Sequence, residues 1–484
     1  MTLRLRDDDQ VPRLAFYMQQ KKCMDLSDPG TGKTPPVCVN MGRRVADGIK
    51  TAWVQPLALI EKNIQEVIRW TGLPRSAIAV LDGSAAKIQK EMTKGAQIFM
   101  LGPDRLKTTY QGIWEQGVRA LDTDEHHMCF GGPESARTEV FLEMAKYMDE
   151  MVMMTGTMIN GRLDTGYSAI AAIEPRYYPF GYELSFLSEH AQLDDYGRPI
   201  FWSGHEKLSS IFGTHGIRYT FEQIFGKQAV IPEVQWVSMH PAQLKMFEQL
   251  RKDAFLELED FFVDGSQPGP AMIRARQLME HPNAFPDLRD LDHKLGLPPV
   301  DIMPNKLPGK VEALKIHFED HVRTGKPLIM FAALIPQQRQ ILEVARESGL
   351  RAALMNGSMS RAQKNRVDEA FRAGELDAVI ATPGVASVGF NWQYWGPKRI
   401  EVDHVINVSL GYMDSDFIQG YRRTVREKRQ TPLRITTLAY YESLDPRFMQ
   451  ILETKSLDAW RVDPTREVLR FNHYQQMHEQ SSTI

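Results

Sequence analysis

Cysteine is scarce in this chain: 484 residues hold three, Cys23, Cys38 and Cys129, and no two form a C-x-x-C pair or stand at zinc-finger spacing. That excludes a disulfide framework and a zinc module, and it points to a reducing, cytosol-like compartment. Long apolar runs are missing too. No stretch of about 18 apolar residues occurs, and the opening M-T-L-R-L-R-D-D-D-Q is charged where a signal peptide is apolar. The sequence therefore reads as neither secreted nor membrane-spanning, and no membrane partner is expected. Nor does one charge dominate: 58 basic against 61 acidic residues leave a formal −3, so no bulk positive field is available to hold a polyanion. Any such binding must come from a local basic groove. Low-complexity segments and short repeats are likewise absent.

What is present is enough chain for two or three domains, each with its own core. The first third alternates short apolar runs with helical patterns, the signature of a parallel sheet with crossover helices. Strands are expected at residues 51–54, 77–81, 97–101 and 151–154, and Ile60, Ile64, Val67 and Ile68 fall at helical spacing on one face. The middle, from about Gly161 to Leu297, reads as mostly helical and is expected to be insertions and a connector. The Pro-rich G-L-P-P-V-D-I-M-P-N-K-L-P-G at residues 296–309 cannot continue a helix and is the expected linker. Beyond it the α/β alternation returns, with strands expected at 328–331, 352–355, 378–381, 404–408 and 433–438. Helices are expected at 311–322, 337–347, 361–372, with Ser360 as N-cap, and near 417–426. The expected division is 1–165, 166–300 and 301–470, with a frayed polar tail at 471–484.

Ser27–Thr34 reads S-D-P-G-T-G-K-T, a glycine-rich turn ending in Gly-Lys-Thr. Gly30 and Gly32 let the backbone bend so that N–H groups, Thr31 among them, face phosphate oxygens. A helix starting near Lys33 adds its positive end. Lys33 would reach the β- and γ-phosphates of ATP, and the Thr34 hydroxyl would ligate a bridging Mg2+. Such a turn needs an acidic partner at a strand end. Asp124-Glu125-His126-His127 offers one, Asp124 for the metal and Glu125 to polarise the attacking water. Alone, an Asp-Glu pair is common on solvated surfaces. Thr155-Gly156-Thr157 after the apolar M-V-M-M suits a hydrogen-bonded relay from the nucleotide, although a simple turn reads equally well in isolation.

Taken in order, these segments resemble the superfamily-two helicases, and within them the Swi/Snf-like DNA translocases in a compact phage or bacterial form. D-E-H-H is similar to the D-E-x-H box, T-G-T-M-I-N to T-G-T-P-x-x-N, and A-T-P-G-V-A-S-V-G-F-N-W at Ala381–Trp392, which holds Gly389, to the motif ending G-L-N-L. Q-G-Y-R-R-T-V-R at Gln419–Arg426 is similar to Q-x-x-x-R-x-x-R. W-V-Q-P ending at Pro56 and L-G-P-D-R-L at Leu101–Leu106 are similar to nucleic-acid-facing motifs, and R-Y-T-F at Arg218 to part of the connector. The family's pattern is departed from at Ser27, His126, Met158 and Phe221, and the strand before Asp124 is less apolar than expected.

The resemblance implies two RecA-like α/β domains in tandem with a helical insertion and connector, and ATP held in the cleft between them. It implies adenine recognition by Gln10, a nucleotide contact at Gly389 and arginine fingers at Arg423 and Arg426. It also implies a DNA track held through its phosphates by residues such as Arg105, Thr382, Arg361 and Lys364, each of which equally reads as a plain surface residue. The activity implied is that of a DNA-dependent ATPase that translocates on duplex DNA and remodels bound proteins or branched DNA in replication, recombination or repair. Its place would be the cytoplasm of a bacterial or phage-infected cell, at the nucleoid. Two alternatives stay open: a strand-separating DNA or RNA helicase, and an ATP-gated DNA clamp with little hydrolysis.

Overall fold

A computed structural model of the chain describes residues 3–253, 270–282, 303, 305–386, 390–411, 413–425 and 427–471. Most of the Pro-rich stretch expected as a linker, the tail after residue 471, Gly389 and Arg426 lie outside the described residues. The chain forms two compact units. The first comprises Met1–Asp194, Phe201–Lys227 and Lys455–Val468; the second takes in Asp195–Ile200, Gln228–Thr454 and the described residues from Leu469.

The first unit is built on seven parallel strands: β1 (Lys22–Asp25), β2 (Lys50–Val54), β3 (Ile78–Val80), β4 (Ile98–Leu101), β5 (Val118–Thr123), β6 (Met151–Met154) and, beyond a short ribbon of β7 (Ala191–Leu193) with β8 (Pro199–Trp202), β9 (Gly216–Ile217). Their order is β3-β4-β2-β5-β6-β1-β9. Side chains alternate between two apolar layers: Met24, Val54, Leu101 and Met153 enter one, while Cys23, Trp53, Met100 and Val152 enter the other. Both faces are covered, which is why these strands read as continuous apolar runs. All three cysteines are buried as free thiols.

Strand β5 departs from that pattern for a visible reason. Asp122 is fully buried, accepts a hydrogen bond from Val152 N at 2.9 Å and pairs with the equally buried Arg44 at 2.7 Å. Arg44 in turn donates to Glu150 at 2.8 Å. An internal ion pair, not solvent exposure, lowers the apolar content of the strand.

Three helices position the site. Helix α1 (Gln10–Gln20) precedes β1, α2 (Thr34–Ala46) follows the glycine-rich turn, and α3 (Ile60–Thr71) follows β2. The expected apolar stripe of α3 is present, with Ile60, Ile64 and Val67 buried at roughly 1.5–3 kcal/mol each. Asn63 is buried on the same face. Gly72, at φ 71°, ends the helix in the left-handed conformation that glycine adopts without strain.

The second unit has six parallel strands: β10 (Val230–Val237), β11 (Leu328–Phe331), β12 (Ala352–Met355), β13 (Ala378–Ala381), and, after a ribbon of β14 (Tyr394–Trp395) with β15 (Ile400–Glu401), β16 (His404–Asn407) and β17 (Leu433–Tyr440). Their order is β10-β17-β16-β11-β13-β12. Ser360 caps helix Arg361–Ala373 as expected, in a reciprocal capping box with Gln363.

The described middle of the chain is mostly helical, as expected, with one full-length strand that the helical reading did not include. Residues 166–300 are shared by the two units, and they include the full-length strand β10, paired along its whole length with β17. Pro232 inside it masked the strand signal. Proline removes a ladder donor and is tolerated here because β10 is an edge strand. Helices Pro241–Asp253 and Pro270–Glu280 join the second unit, where Phe247, Met272 and Met279 pack with Tyr440, Phe448 and Met449. The helix expected at 417–426 is instead Asp414–Tyr421, tightening to a single 3₁₀ turn at Arg422–Thr424. No helix among the described residues is long and apolar enough to cross a membrane.

Candidate functional site

Strands β5, β6 and β1 are neighbours in the first sheet, so the loops leaving their carboxyl ends meet. Those loops carry Asp124-Glu125, Thr155-Gly156-Thr157 and the glycine-rich turn. The turn has the backbone that its glycines foretold, with φ 85° at Gly30 and 78° at Gly32. Its outer side is held from several directions. Arg6 donates to Thr31 O at 2.5 Å, and Gln10 donates to Gly32 O at 3.0 Å while accepting from Arg6 N at 3.0 Å. In a trans peptide the carbonyl and the following N–H point opposite ways. Anchoring the Thr31 and Gly32 carbonyls outward therefore turns the N–H groups of Gly32 and Lys33 into the hollow of the turn, the arrangement that binds phosphate.

Further supports come from below and beside the turn. Asp25, fully buried, accepts from Ser27 N at 3.0 Å and from the Tyr17 hydroxyl, with Arg13 at 3.9 Å. Arg218 pairs with Asp28 and with Asp463, each at 2.7 Å, and Phe221 N donates to the other Asp28 oxygen at 2.9 Å. Phe221 itself is fully buried, so the position where the family has lysine is a packing position here. Sequence reasoning missed Arg6, Arg13, Tyr17, Asp25 and Asp463 as supports. They lie outside the motifs, whereas Arg218 opens the R-Y-T-F segment.

Lys33 donates to Ser27 O at 2.5 Å and Asp28 O at 3.3 Å, folded back on the carbonyls of its own turn. Burial draws its ammonium down from the ordinary lysine range, opposed by the charges of Asp25 and Glu125. Thr34 is the first residue of α2, and proline follows it twice, where the missing N–H groups cost a helix nothing.

Asp124 is anchored by its N–H to Val54 O at 2.9 Å, and its carboxylate accepts from Glu125 N at 3.1 Å and Asn63 Nδ2 at 3.3 Å. Burial, and then the charge of Glu125, push its carboxyl up to about 6, with Lys33 opposing. Glu125 sits at φ 49°, ψ 54°, a left-handed conformation costly for a residue with a Cβ, and its buried Oε2 takes no hydrogen bond. Its Oε2 stands 3.7 Å from His127 Nδ1, beyond hydrogen-bond reach, so a strained backbone presents a carboxylate oxygen still able to accept from a water.

The two histidines have separate roles. His126 bonds the Thr123 and Ser168 hydroxyls at 3.0 and 2.9 Å; His127 bonds those of Thr155 and Thr157 at 2.7 and 3.1 Å. Burial pushes both imidazoles down to about 3, so they are neutral at physiological pH. His127 thus ties the acidic loop to the T-G-T loop. Gly156 lies so near the turn that a Cβ there would stand 2.6 Å from Pro29 Cδ.

Of the residues expected to touch nucleic acid, Arg105 lies in the first turn of helix Pro103–Glu115 in the first unit and donates to Gly83 O at 2.9 Å. In the second unit the Thr382 hydroxyl accepts from the buried Gln338 at 2.8 Å. Gln338 also donates to Ala332 O and accepts from Asn356, joining three strand ends in a hub that sequence reasoning missed. Arg361 and Lys364 share the first turns of helix Arg361–Ala373, Arg361 exposed and Lys364 half-buried. Arg423 is buried in the 3₁₀ turn, its guanidinium on Phe390 O at 3.4 Å.

Residues 309–428 match the helicase conserved C-terminal domain. A curated relative, the ATP-dependent RNA helicase SrmB of Haemophilus influenzae, is 25% identical over 121 residues, so the match spans a quarter of this chain and a quarter of that protein. Among solved structures, the Pyrococcus furiosus Hef helicase domain is similar over 92% of this chain and 99% of its own, at 16% identity and a TM-score of 0.50. The Sulfolobus solfataricus SWI2/SNF2 ATPase core in complex with double-stranded DNA covers 95% of each chain at 16% identity and a TM-score of 0.43. Residues 309–428 thus carry a helicase conserved C-terminal domain, and the chain shares the fold of the Pyrococcus furiosus Hef helicase domain.

Proposed function

We propose that the chain is an ATP-driven motor, a DNA-dependent ATPase that translocates on duplex DNA and remodels protein–DNA or branched DNA structures in replication, recombination or repair. The observation that carries the ATPase reading is the apposition of the phosphate-shaped turn with Asp124 and Glu125 on neighbouring strand ends. Lys33 would leave its carbonyl perch for the β- and γ-phosphates, and Glu125, whose Oε2 takes no hydrogen bond, would orient water for in-line attack. Thr34 and Asp124 offer the oxygen ligands that a hard dication takes, and a dication would offset both the burial and the Glu125 charge that hold Asp124 high. When bound, Mg2+ would offset the charge of the phosphates. His127 would pass a change at the acidic loop to Thr155 and Thr157.

The sequence resemblance supports Arg423 and Arg426 as γ-phosphate cations, Gln10 and Gly389 as nucleotide contacts, and Arg105, Thr382, Arg361 and Lys364 as phosphate contacts on the track. Arg426→Ala is expected to leave ATP binding nearly intact and to lower turnover by about 10³–10⁵. Wild-type turnover in that variant would remove the finger.

The second reading, a strand-separating helicase, is favoured by the stretch shared with an RNA helicase. ATPase rates with duplex, single-stranded and forked DNA and with RNA, alongside strand displacement on the same substrates, separate the readings. Duplex stimulation without unwinding supports the translocase, and stimulation by RNA alone sinks it. Failure of any nucleic acid to stimulate phosphate release would favour a nucleotide-gated clamp.

A further inference from the structure

Asn63 is an amide on an otherwise apolar helix face, 2% exposed, and such a group persists only where its hydrogen bonds are made. Its Nδ2 carries two protons. One goes to Gln55 Oε1 at 2.5 Å and the other to Asp124 Oδ2 at 3.3 Å. Since Asp124 Oδ1 accepts from Glu125 N, each carboxylate oxygen has one fixed donor. Gln55 is fully buried at the end of β2, its N–H on Leu101 O at 3.0 Å, while the preceding Val54 carbonyl takes Asp124 N. The Gln55 Nε2 is buried without a hydrogen-bond partner, so this amide is held on one side only. The segment after Gln55 packs tightly on the one after Leu101: a Cβ at Gly102 would stand 2.8 Å from the Leu57 side chain, which is half exposed.

We infer that Asn63 is a positioning residue that sets the Asp124 carboxylate for the metal and, through Gln55, makes it sensitive to nucleic acid seated on the surface of Leu57 and Arg105. This rests on the motor reading above. A load on that surface reaches Gln55 first, because the backbone is continuous and the amide is the least constrained link. Gln55 then moves Asn63, and Asn63 moves a metal ligand. Removing a partner that orients a metal ligand weakens the metal site by about 10–100-fold.

The test measures binding of a fluorescent ATP analogue to the full chain with and without Mg2+, and with and without linear duplex DNA, together with thermal unfolding. In the wild type, Mg2+ tightens binding and duplex DNA lowers the Mg2+ required. Asn63→Asp keeps the side-chain size but sets an acceptor against Asp124. The Mg2+ half-saturation point is expected to rise about tenfold or more while metal-free nucleotide binding stays within about twofold, a split that loosened packing alone would not produce. Gln55→Met removes the acceptor and is expected to abolish the effect of DNA on the Mg2+ requirement; should Asn63→Asp fail to fold, this variant decides. An unchanged half-saturation point in folded Asn63→Asp, or an undiminished DNA effect in Gln55→Met, overturns the inference and leaves the motor reading standing. A wild-type chain whose nucleotide binding responds to neither Mg2+ nor DNA overturns both.

Discussion

Gly156 allows the T-G-T loop and the phosphate turn to occupy one place, and Gly156→Ala tests that directly. The added methyl would lie 2.6 Å from Pro29 Cδ, 3.0 Å from Cγ and 3.2 Å from the Pro29 nitrogen. Carbon atoms settle at about 3.5–4.0 Å, so the two loops must part by roughly 1 Å. Neither side yields easily, because one is a proline ring and the other is the backbone between two threonines bonded to His127. Overpacking of this kind costs about 1–3 kcal/mol. If the strain is relieved by displacing the turn, nucleotide affinity falls by about 5–150-fold, since 1.4 kcal/mol is a factor of ten. If it is retained, the loss appears in stability. Titration of a fluorescent ATP analogue and chemical unfolding of the same samples capture both cases. Gly156→Ala with affinity within about twofold of wild type and an unshifted unfolding midpoint would refute the close approach and the coupling drawn from it.

Two other outcomes follow from the acidic loop. Glu125→Gln is isosteric and leaves nucleotide binding in place, yet turnover is expected to fall by about 10²–10⁴, measured as phosphate release at saturating ATP. Asp124→Asn should stabilise the ligand-free protein at pH 7–8. A carboxyl held at about 6 when folded and about 4 when unfolded binds its proton more tightly in the fold. Its charge therefore costs stability above pH 6, and the cost fades as pH falls towards 4. The variant's gain, on the order of 1–3 kcal/mol, is expected to be full above pH 6 and gone below pH 4 in denaturant unfolding across that range.

Much of the first unit was legible because its chemistry is local. A glycine-rich turn needs left-handed residues at fixed places, and Gly30 and Gly32 adopt them. Apolar tetrads such as Met151–Met154 announce strands covered on both faces. Residues that act across the fold were not legible. Arg6 and Asn63 lie far in sequence from the carbonyl and carboxylate they hold, and although Asn63 shares the buried stripe of α3, nothing in the sequence names its partner. Strand β5 looked too polar because its ion pair, Asp122 with Arg44, is closed by a residue on α2. Strand β10 was hidden by Pro232, whose tolerance depends on an edge position visible only in the assembled sheet.

On the proposed reading, the turn at Ser27–Thr34 drives a motor on duplex DNA. Steady-state ATP hydrolysis by the purified chain, with and without linear duplex DNA, in wild type and Lys33→Ala, tests it most directly. Duplex DNA is expected to stimulate turnover, and Lys33→Ala to abolish it. Hydrolysis indifferent to DNA, or surviving in Lys33→Ala, would contradict that reading.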